Sequence, residues 1–464
     1  MNIFKVIIAA VCLLSYMGAN GQNQNESCTC TQVFNNLTTK LEADYIGYHL
    51  RKKEIEKSYE DLKAKYKSLS QQTKPENCSM MLMEYLSFFK DEHLFVSEFP
   101  DFSEEDMAKT KAEVKDEGVT DISHITFSKN PIEGYWTDGT SKFAIVKNTN
   151  KNIPNEYVAI IIDDPDKTTI GEIKVEVTSK NNAYEGRYYT KSYTSRYVKI
   201  SAGKEAALLS LWGGITWGRL KDKNDSVYDP DLPSFRKIDD KTSLLTIPSF
   251  LIEAEKFNKV LLDNEDALRN TENLIIDIRG NTGGNAIYFP LLSLFSERPL
   301  VSEVGFTVAS EDNLNYFKKI STDAKNDPYK PVVEAINNKM GVIIDGPKFE
   351  PIDISREKSK INKVVILTDR SNKSAAESFV LHAKAVSTKV ITMGENTAGV
   401  IDYNNVNMVP LNCQKTGIYF GYPTFTYNKM ILTNGYNKTG ITPDVKIGYT
   451  VSDKIDFILK YLKQ

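Results

Sequence analysis

Residues 371–377 read SNKSAAE and follow an apolar run, Val364–Leu367. The run has the character of a buried strand. Ala375, Ala376, Phe379, Val380 and Ala383 then open a helix. Ser374 therefore falls where a strand hands over to a helix N-terminus. The first N–H groups of a helix lack intrahelical partners and sit at the positive end of its dipole. A hydroxyl placed there can attack a carbonyl while neighbouring N–H groups hold the oxyanion. The same residues also fit a plain N-cap, with Glu377 closing a capping box.

A second segment, LIIDIRGNTGG at 274–284, ends a buried strand in Asp277 and Arg279 and adds three glycines in close succession. Glycine frees the backbone to turn sharply and present N–H groups to a bound atom. In an open α/β sheet, ligands sit at the carboxyl ends of strands. The Gly-Lys-Ser/Thr ending of a phosphate-binding P-loop is missing. Asp277 and Arg279 fit either a structural ion pair or a part of the site.

A hydroxyl nucleophile needs a base, and imidazole has a reference pKa of about 6.5, close to working pH. The chain has four histidines: His49, His93, His124 and His382. His49 lies mid-helix among charges and is expected at the surface. His124 sits in a polar linker. His382 stands two turns beyond Ser374 on the same helix, roughly 12 Å away by helical rise, too far to reach the hydroxyl. His93 lies in KDEHLFV, where a helical pattern turns strand-like.

These residues need a scaffold. Val33, Leu37, Leu41, Tyr45 and Tyr48 recur at helical spacing, as do Met81, Leu82, Tyr85, Leu86 and Phe89. The segment 22–98 is therefore expected to be helical. Within 99–235, short alternating runs at Ala144–Lys147, Tyr157–Ile162, Ile173–Val177 and Tyr197–Ile200 are separated by turn formers, which predicts a β-rich barrel or sandwich. From 236 to 464 strands and helices alternate, which predicts an α/β domain. Strands are expected at Leu244–Ile247, Leu274–Ile278, Val364–Leu367 and Lys389–Met393, with helices over 253–268, 286–296 and 375–386. Residues 309–340 read as a polar insertion.

The length of 464 residues suits several domains, and 41% hydrophobic with 26% charged residues is ordinary for a soluble globular protein. A net charge of −3 gives no footprint for nucleic acid or an anionic membrane. Residues 1–21 read as a secretory signal: a short charged start, an apolar core from Val6 to Met17, then Gly18–Gly21, with cleavage after Gly21 or Ala19. No later run is long enough to span a bilayer, so a secreted or periplasmic protein is expected. Cys12 leaves with the leader. Cys28, Cys30, Cys78 and Cys413 remain, an even count for an oxidising compartment. Cys78 is expected to bridge to Cys28 or Cys30. No histidine or second close cysteine pair completes a metal site beside Cys28 and Cys30, so no metal or other cofactor is expected. Asn-x-Ser/Thr sequons stand at Asn25, Asn36, Asn77, Asn224, Asn372 and Asn437.

Four segments in order, DIRGNTGG, LTDRSNKSAAE, MGENTAG and GITPD, resemble the tail-specific, or C-terminal processing, serine peptidases. The resemblance covers 240–450 and extends to the FFKDEH segment, but not to the β-rich middle. It implies an α/β protease core of crotonase-like ββα repeats. It also implies a secreted serine-type endopeptidase acting on a protein or peptide substrate. By position, Ser374 matches the nucleophile, and the N–H groups of Ala375 with Gly283 or Gly284 match the oxyanion hole. One branch of the family takes its base from a lysine after the glycine of the Gly-Glu-x-Thr-x-Gly motif. Here Val400 follows Gly399, and Lys373, Lys384 and Lys389 do not match that place. The other branch, similar to the tricorn core protease, uses a histidine in an Asp-x-His segment, which Asp91-Glu92-His93 fits. That pattern places a Glu three residues before the Gly of Gly-Ile-x-Pro-Asp. Asn437 stands there and would orient His93 through its amide oxygen, with Asp91, Asp444 and Glu377 as substitutes. The same module resembles the repeats of interphotoreceptor retinoid-binding protein, so a binding protein on this fold is the alternative.

Overall fold

The computed structural model describes residues 28–99, 103–116, 125–128, 130–149, 155–180, 183–202, 208–211, 215–354, 359–412, 417–437, 439–448 and 450–463. The leader expected over 1–21, the Asn25 sequon, His124 and Cys413 lie outside these residues.

The chain starts with three helices, α1 (Cys30–Asp44), α2 (Ile46–Ser70) and α3 (Cys78–Leu86). A reciprocal capping box begins α1: Thr29 Oγ1 accepts from Gln32 N, and Gln32 Oε1 accepts from Thr29 N. Tyr45, at the α1–α2 junction, is buried edge-on against Phe89 and beside Tyr403. A disulfide joins Cys30 to Cys78, which resolves the open pairing, and Cys28 is disulfide-bonded as well. The Cys30–Cys78 bridge closes a loop with a sequence separation of 48. By chain entropy such a closure is worth roughly 4 kcal/mol. Cys78→Ser is therefore expected to lower the unfolding midpoint in a non-reducing melt. Peptide mapping of the unreduced wild type should return the Cys30–Cys78 pair; a Cys78 that alkylates fully in the native protein would contradict this.

Strand β1 (Phe95–Glu98) and helix α4 (Glu104–Asp116) lead to strands β2 to β9 (Gly134–Thr137, Lys142–Lys147, Tyr157–Asp163, Ile173–Lys180, Ala183–Tyr189, Ser195–Ala202, Leu208–Leu211 and Ile215–Leu220). These strands form a closed antiparallel barrel, with β2 paired to β9. Closure leaves no sheet edge exposed. Its interior is filled by side chains, among them Trp136, Ile145, Val175 and the stacked rings of Phe143 and Trp217, 4.2 Å between centroids.

The remainder comprises β10 (Ser234–Lys237), β11 (Thr242–Thr246), α5 (Ala254–Asp263), α6 (Glu265–Asn270), β12 (Asn273–Asp277), α7 (Phe289–Leu292), β13 (Phe306–Val308), α8 (Glu311–Ile320), α9 (Lys330–Asn338), β14 (Ile343–Asp345), β15 (Lys363–Thr368), α10 (Ala375–Val386), β16 (Val390–Gly394), β17 (Tyr403–Pro410), β18 (Ile418–Thr426), α11 (Ile431–Asn434), β19 (Val445–Lys446) and α12 (Lys454–Leu462). One sheet runs β10-β11-β12-β15-β16-β19, parallel from β11 onward. Successive side chains of a strand point to opposite faces. Leu245, Ile276 and Ile366 accordingly pack with Phe379 and Val380 of α10, while Leu244, Ile275 and Val365 pack with Ile458 of α12. A second sheet runs β1-β18-β13-β14, with β17 also on β18. Phe95 pairs with Gly421 in it, so the segment just after His93 is held by the C-terminal half of the chain.

Three expectations are corrected. The helix expected over 253–268 breaks at Asn264, which leaves the helical region at φ −117°, ψ 14°. The helix expected over 286–296 is only Phe289–Leu292. Pro290, which lacks an N–H, suits a first turn, and the residues before it are pinned by a bridge between Phe250 and Gly284. The stretch 309–340 is not merely polar: α8 and α9 bury Phe317, Val332 and Ile336 in a small core of their own.

Candidate active site

Ser374 caps α10 in position but not in bonding. Its backbone sits at φ 52°, ψ −120°, and its side chain makes no cap hydrogen bond. A non-glycine residue at such a positive φ costs about 1–3 kcal/mol and persists only where its surroundings impose it. Here they do. Ser374 N donates to Val400 O at 3.0 Å, and Ser374 O accepts from the N–H groups of Glu377 and Ser378, both at 2.9 Å. Two residues earlier in the loop, Asn372 is fully buried and spends its amide hydrogens on the carbonyls of Ile278 and Asn281. Asp369 ties the same loop to the glycine turn, accepting from Gly280 N at 3.2 Å and Ser371 N at 2.9 Å. The Asn372 sequon thus has no free amide for a glycan.

Ser374 and Glu377 do not form a reciprocal capping box, because the Ser374 hydroxyl makes no cap hydrogen bond. The buried Glu377 carboxylate accepts from Thr397 Oγ1, from Gly399 N at 2.8 Å and from Val400 N at 2.6 Å. Burial pushes it up to about 7, against the pull of these donors. It holds the turn in which Val400 occupies the place that a lysine takes in the other branch.

His93 is brought from the opposite end of the chain. A short helical turn over 87–89 ends in Lys90 at φ 54°, and Asp91 then folds the chain back. Asp91 Oδ1 accepts from His93 N at 2.9 Å, and Asp91 Oδ2 accepts from the buried Tyr45 hydroxyl at 2.9 Å. The result places His93 Nε2 3.2 Å from Ser374 Oγ. On the other side of the ring, Nδ1 is 3.7 Å from Asp91 Oδ1. Both residues are 4% exposed. Burial lowers His93 to about 4; Lys373 adds to this, while Glu92 and the backbone of Tyr403 oppose it. Burial also raises Asp91 to about 7, against its bonds to His93 N–H and the Tyr45 hydroxyl.

Of the expected oxyanion donors, the structure separates two from the third. Gly283 N donates to Asn281 Oδ1 at 2.8 Å and is already engaged. The N–H groups of Ala375 and Gly284 have no protein acceptor among the described residues. The glycine turn also comes too close for side chains. A Cβ on Gly283 would stand 2.8 Å from Lys373 O and 3.0 Å from Ala375 N, and one on Gly284 would stand 2.3 Å from Phe250 C. Both glycines also have positive φ, 101° and 132°.

Asn437 is placed with another partner. Its Oδ1 accepts from Asp402 N at 3.3 Å and its N donates to Asp402 Oδ2 at 2.9 Å. The carboxylate nearest His93 Nδ1 is that of Asp91, because an Asp two residues before a His can fold onto it within one turn. The offset that suggested Asn437 carried no such local constraint. Asp444 is drawn away by Lys384 and Thr392. Asp277 and Arg279 form a bidentate ion pair, 2.9 and 2.8 Å, the structural one of the two readings. His382 Nδ1 lies 3.0 Å from the Tyr288 hydroxyl, and His49 is half-buried, not surface-exposed as expected. Among the described residues no cluster of His, Cys, Asp and Glu could hold a metal ion.

A hydroxyl on a strained strand–helix elbow, an imidazole within reach and unengaged N–H groups beside it make an arrangement suited to acyl transfer. Residues 241–447 match the sequence profile of peptidase family S41. No curated protein matches the chain. Among solved structures, it is similar to mature CPAF complexed with lactacystin (14% identity, 94% of this chain and 97% of that one, TM-score 0.49). It is also similar to a lipoprotein from Streptococcus agalactiae (13%, 96% and 99%, TM-score 0.42). The photosystem II D1 C-terminal processing protease is a further match (12%, 94% and 98%, TM-score 0.39).

Proposed function

We propose that the chain is a secreted serine-type endopeptidase that hydrolyses peptide bonds through an acyl-enzyme on Ser374, with His93 as general base. The observation that carries this reading is the 3.2 Å approach of His93 Nε2 to Ser374 Oγ, across two ends of the chain. In this reading Ser374 Oγ attacks the scissile carbonyl and Nε2 takes its proton. The carbonyl oxygen becomes an oxyanion held by the N–H groups of Ala375 and Gly284. His93 then hands the proton to the departing amine. Water then attacks the acyl carbonyl and loses a proton to His93, and His93 returns that proton to Ser374 Oγ as the new carboxyl terminus leaves. Asp91, folded behind the ring, favours the imidazolium that forms in each half.

The match of residues 241–447 to a family of peptidases supports a protein or peptide substrate. The leader-like residues 1–21 and the Cys30–Cys78 bridge support export to an oxidising compartment. No helix among the described residues is long and apolar enough to cross a membrane.

The test is hydrolysis of an unstructured protein such as casein in water enriched in oxygen-18. Each new C-terminus should carry the heavy label, and the products should vanish with Ser374→Ala. Casein left intact across a panel of unstructured substrates would refute the proposal.

A further inference from the structure

Ser374 and His93 are separated by 281 positions, and so are Lys373 and Glu92. Two consecutive residues of the N-terminal turn thus meet two consecutive residues of the elbow. Lys373 Nζ lies 2.7 Å from Glu92 Oε2, with the lysine side chain 11% and the glutamate side chain 39% exposed. A lysine this enclosed loses water and must gain a partner in return. The lysine's own carbonyl accepts from Ala376 N at 3.0 Å, so its backbone starts α10 while its side chain reaches back to the other segment.

We propose that the Glu92–Lys373 ion pair is a clamp between the base-bearing turn and the nucleophile-bearing elbow, and that both are positioning residues for the His93–Ser374 contact. The proposal rests on the reading of Ser374 and His93 as nucleophile and base. Its logic is geometric. The base and the nucleophile stand 281 positions apart in the chain, so a tie between the immediate neighbours of each bears directly on their separation. A misplacement of about 1 Å at a reacting pair can cost about a hundredfold in rate.

The clamp also sets charge around the ring. Lys373 lowers His93 and Glu92 raises it. The other groups facing this cluster are Asp91 on the same turn, Asp402 and Tyr403 at the start of β17, Tyr45 and Arg51 from the α1–α2 region, and Lys199 from barrel strand β7, which acts on Glu92. Removing one partner therefore shifts the imidazole in a direction that depends on which partner goes. Loss of packing alone would not give opposite signs.

The experiment uses the full chain with isotopically labelled histidine and a fluorophosphonate probe. Lys373→Met is expected to raise the His93 titration midpoint and Glu92→Gln to lower it. Each should slow labelling of Ser374 by about tenfold to a hundredfold. The reversed pair, Glu92→Lys with Lys373→Glu, should recover most of the labelling rate. Wild-type labelling rates in both single variants, or a reversed pair no faster than the slower single variant, would overturn the clamp while leaving Ser374 as nucleophile. A wild type that never labels at Ser374 would overturn the nucleophile reading, and the clamp with it.

Discussion

Ser374→Ala is expected to reduce kcat by about 10⁶, His93→Ala by a similar factor, and the double variant by no more than either one. Groups that act as a unit are grossly non-additive, because each is useless without its partner. Here the unit is the 3.2 Å contact between Ser374 Oγ and His93 Nε2. Some acceleration over water should survive from the N–H groups of Ala375 and Gly284, which neither substitution removes. An internally quenched peptide, followed by fluorescence, gives all three rates. Additive losses in the double variant would mean that the two side chains work independently.

Asp91→Asn is expected to cost about 10²–10⁴ in kcat. It preserves the shape of the turn but removes the charge that favours an imidazolium. The pH profile should change with it. His93 and Asp91 are close enough to titrate as a pair, so their two protons leave in steps that belong to both. Burial spreads those steps, with Asp91 up to about 7 and His93 down to about 4. The sign follows from which form works. The base must be unprotonated and the carboxylate charged, so kcat/KM should be flat above the upper step and fall as pH drops through about 7 and again through about 4. This differs from the single step near the reference value of about 6.5 that an unperturbed imidazole base would give. In Asp91→Asn only the lower step should remain. A profile that keeps its upper step in that variant would assign the step to another group.

What was legible in the sequence is what local geometry decides. The elbow at Ser374 could be read because a strand, a polar turn and a small-residue helix follow one another within a short span. The glycines at 283 and 284 could be read because only their backbone freedom fits a sharp turn, and the structure adds the neighbours that exclude a side chain there. The roles of individual donors were not legible. Whether Gly283 N points at a substrate or at Asn281 depends on a rotation that motif spacing does not reveal. The same holds for Asn437, whose partner Asp402 lies 35 positions away. The second sheet was missed because its pairings join distant segments and because Pro423 sits inside β18, where a proline argues against an interior strand. Yet that sheet carries β1, and through β1 it delivers His93 to the elbow. The helices α8 and α9 were hidden by their abundance of Lys and Asn, although Phe317, Val332 and Ile336 are buried and Leu314, Ile320 and Val333 pack against them.

The central claim is that Ser374 is an activated nucleophile. The most direct measurement is reaction of the wild-type protein with a fluorophosphonate, followed by peptide mass spectrometry. The account predicts one adduct, on Ser374, formed faster as pH rises through the upper step of the His93–Asp91 pair and absent from Ser374→Ala. An unmodified Ser374 in the folded protein above pH 8, or labelling that persists unchanged in His93→Ala, would contradict it.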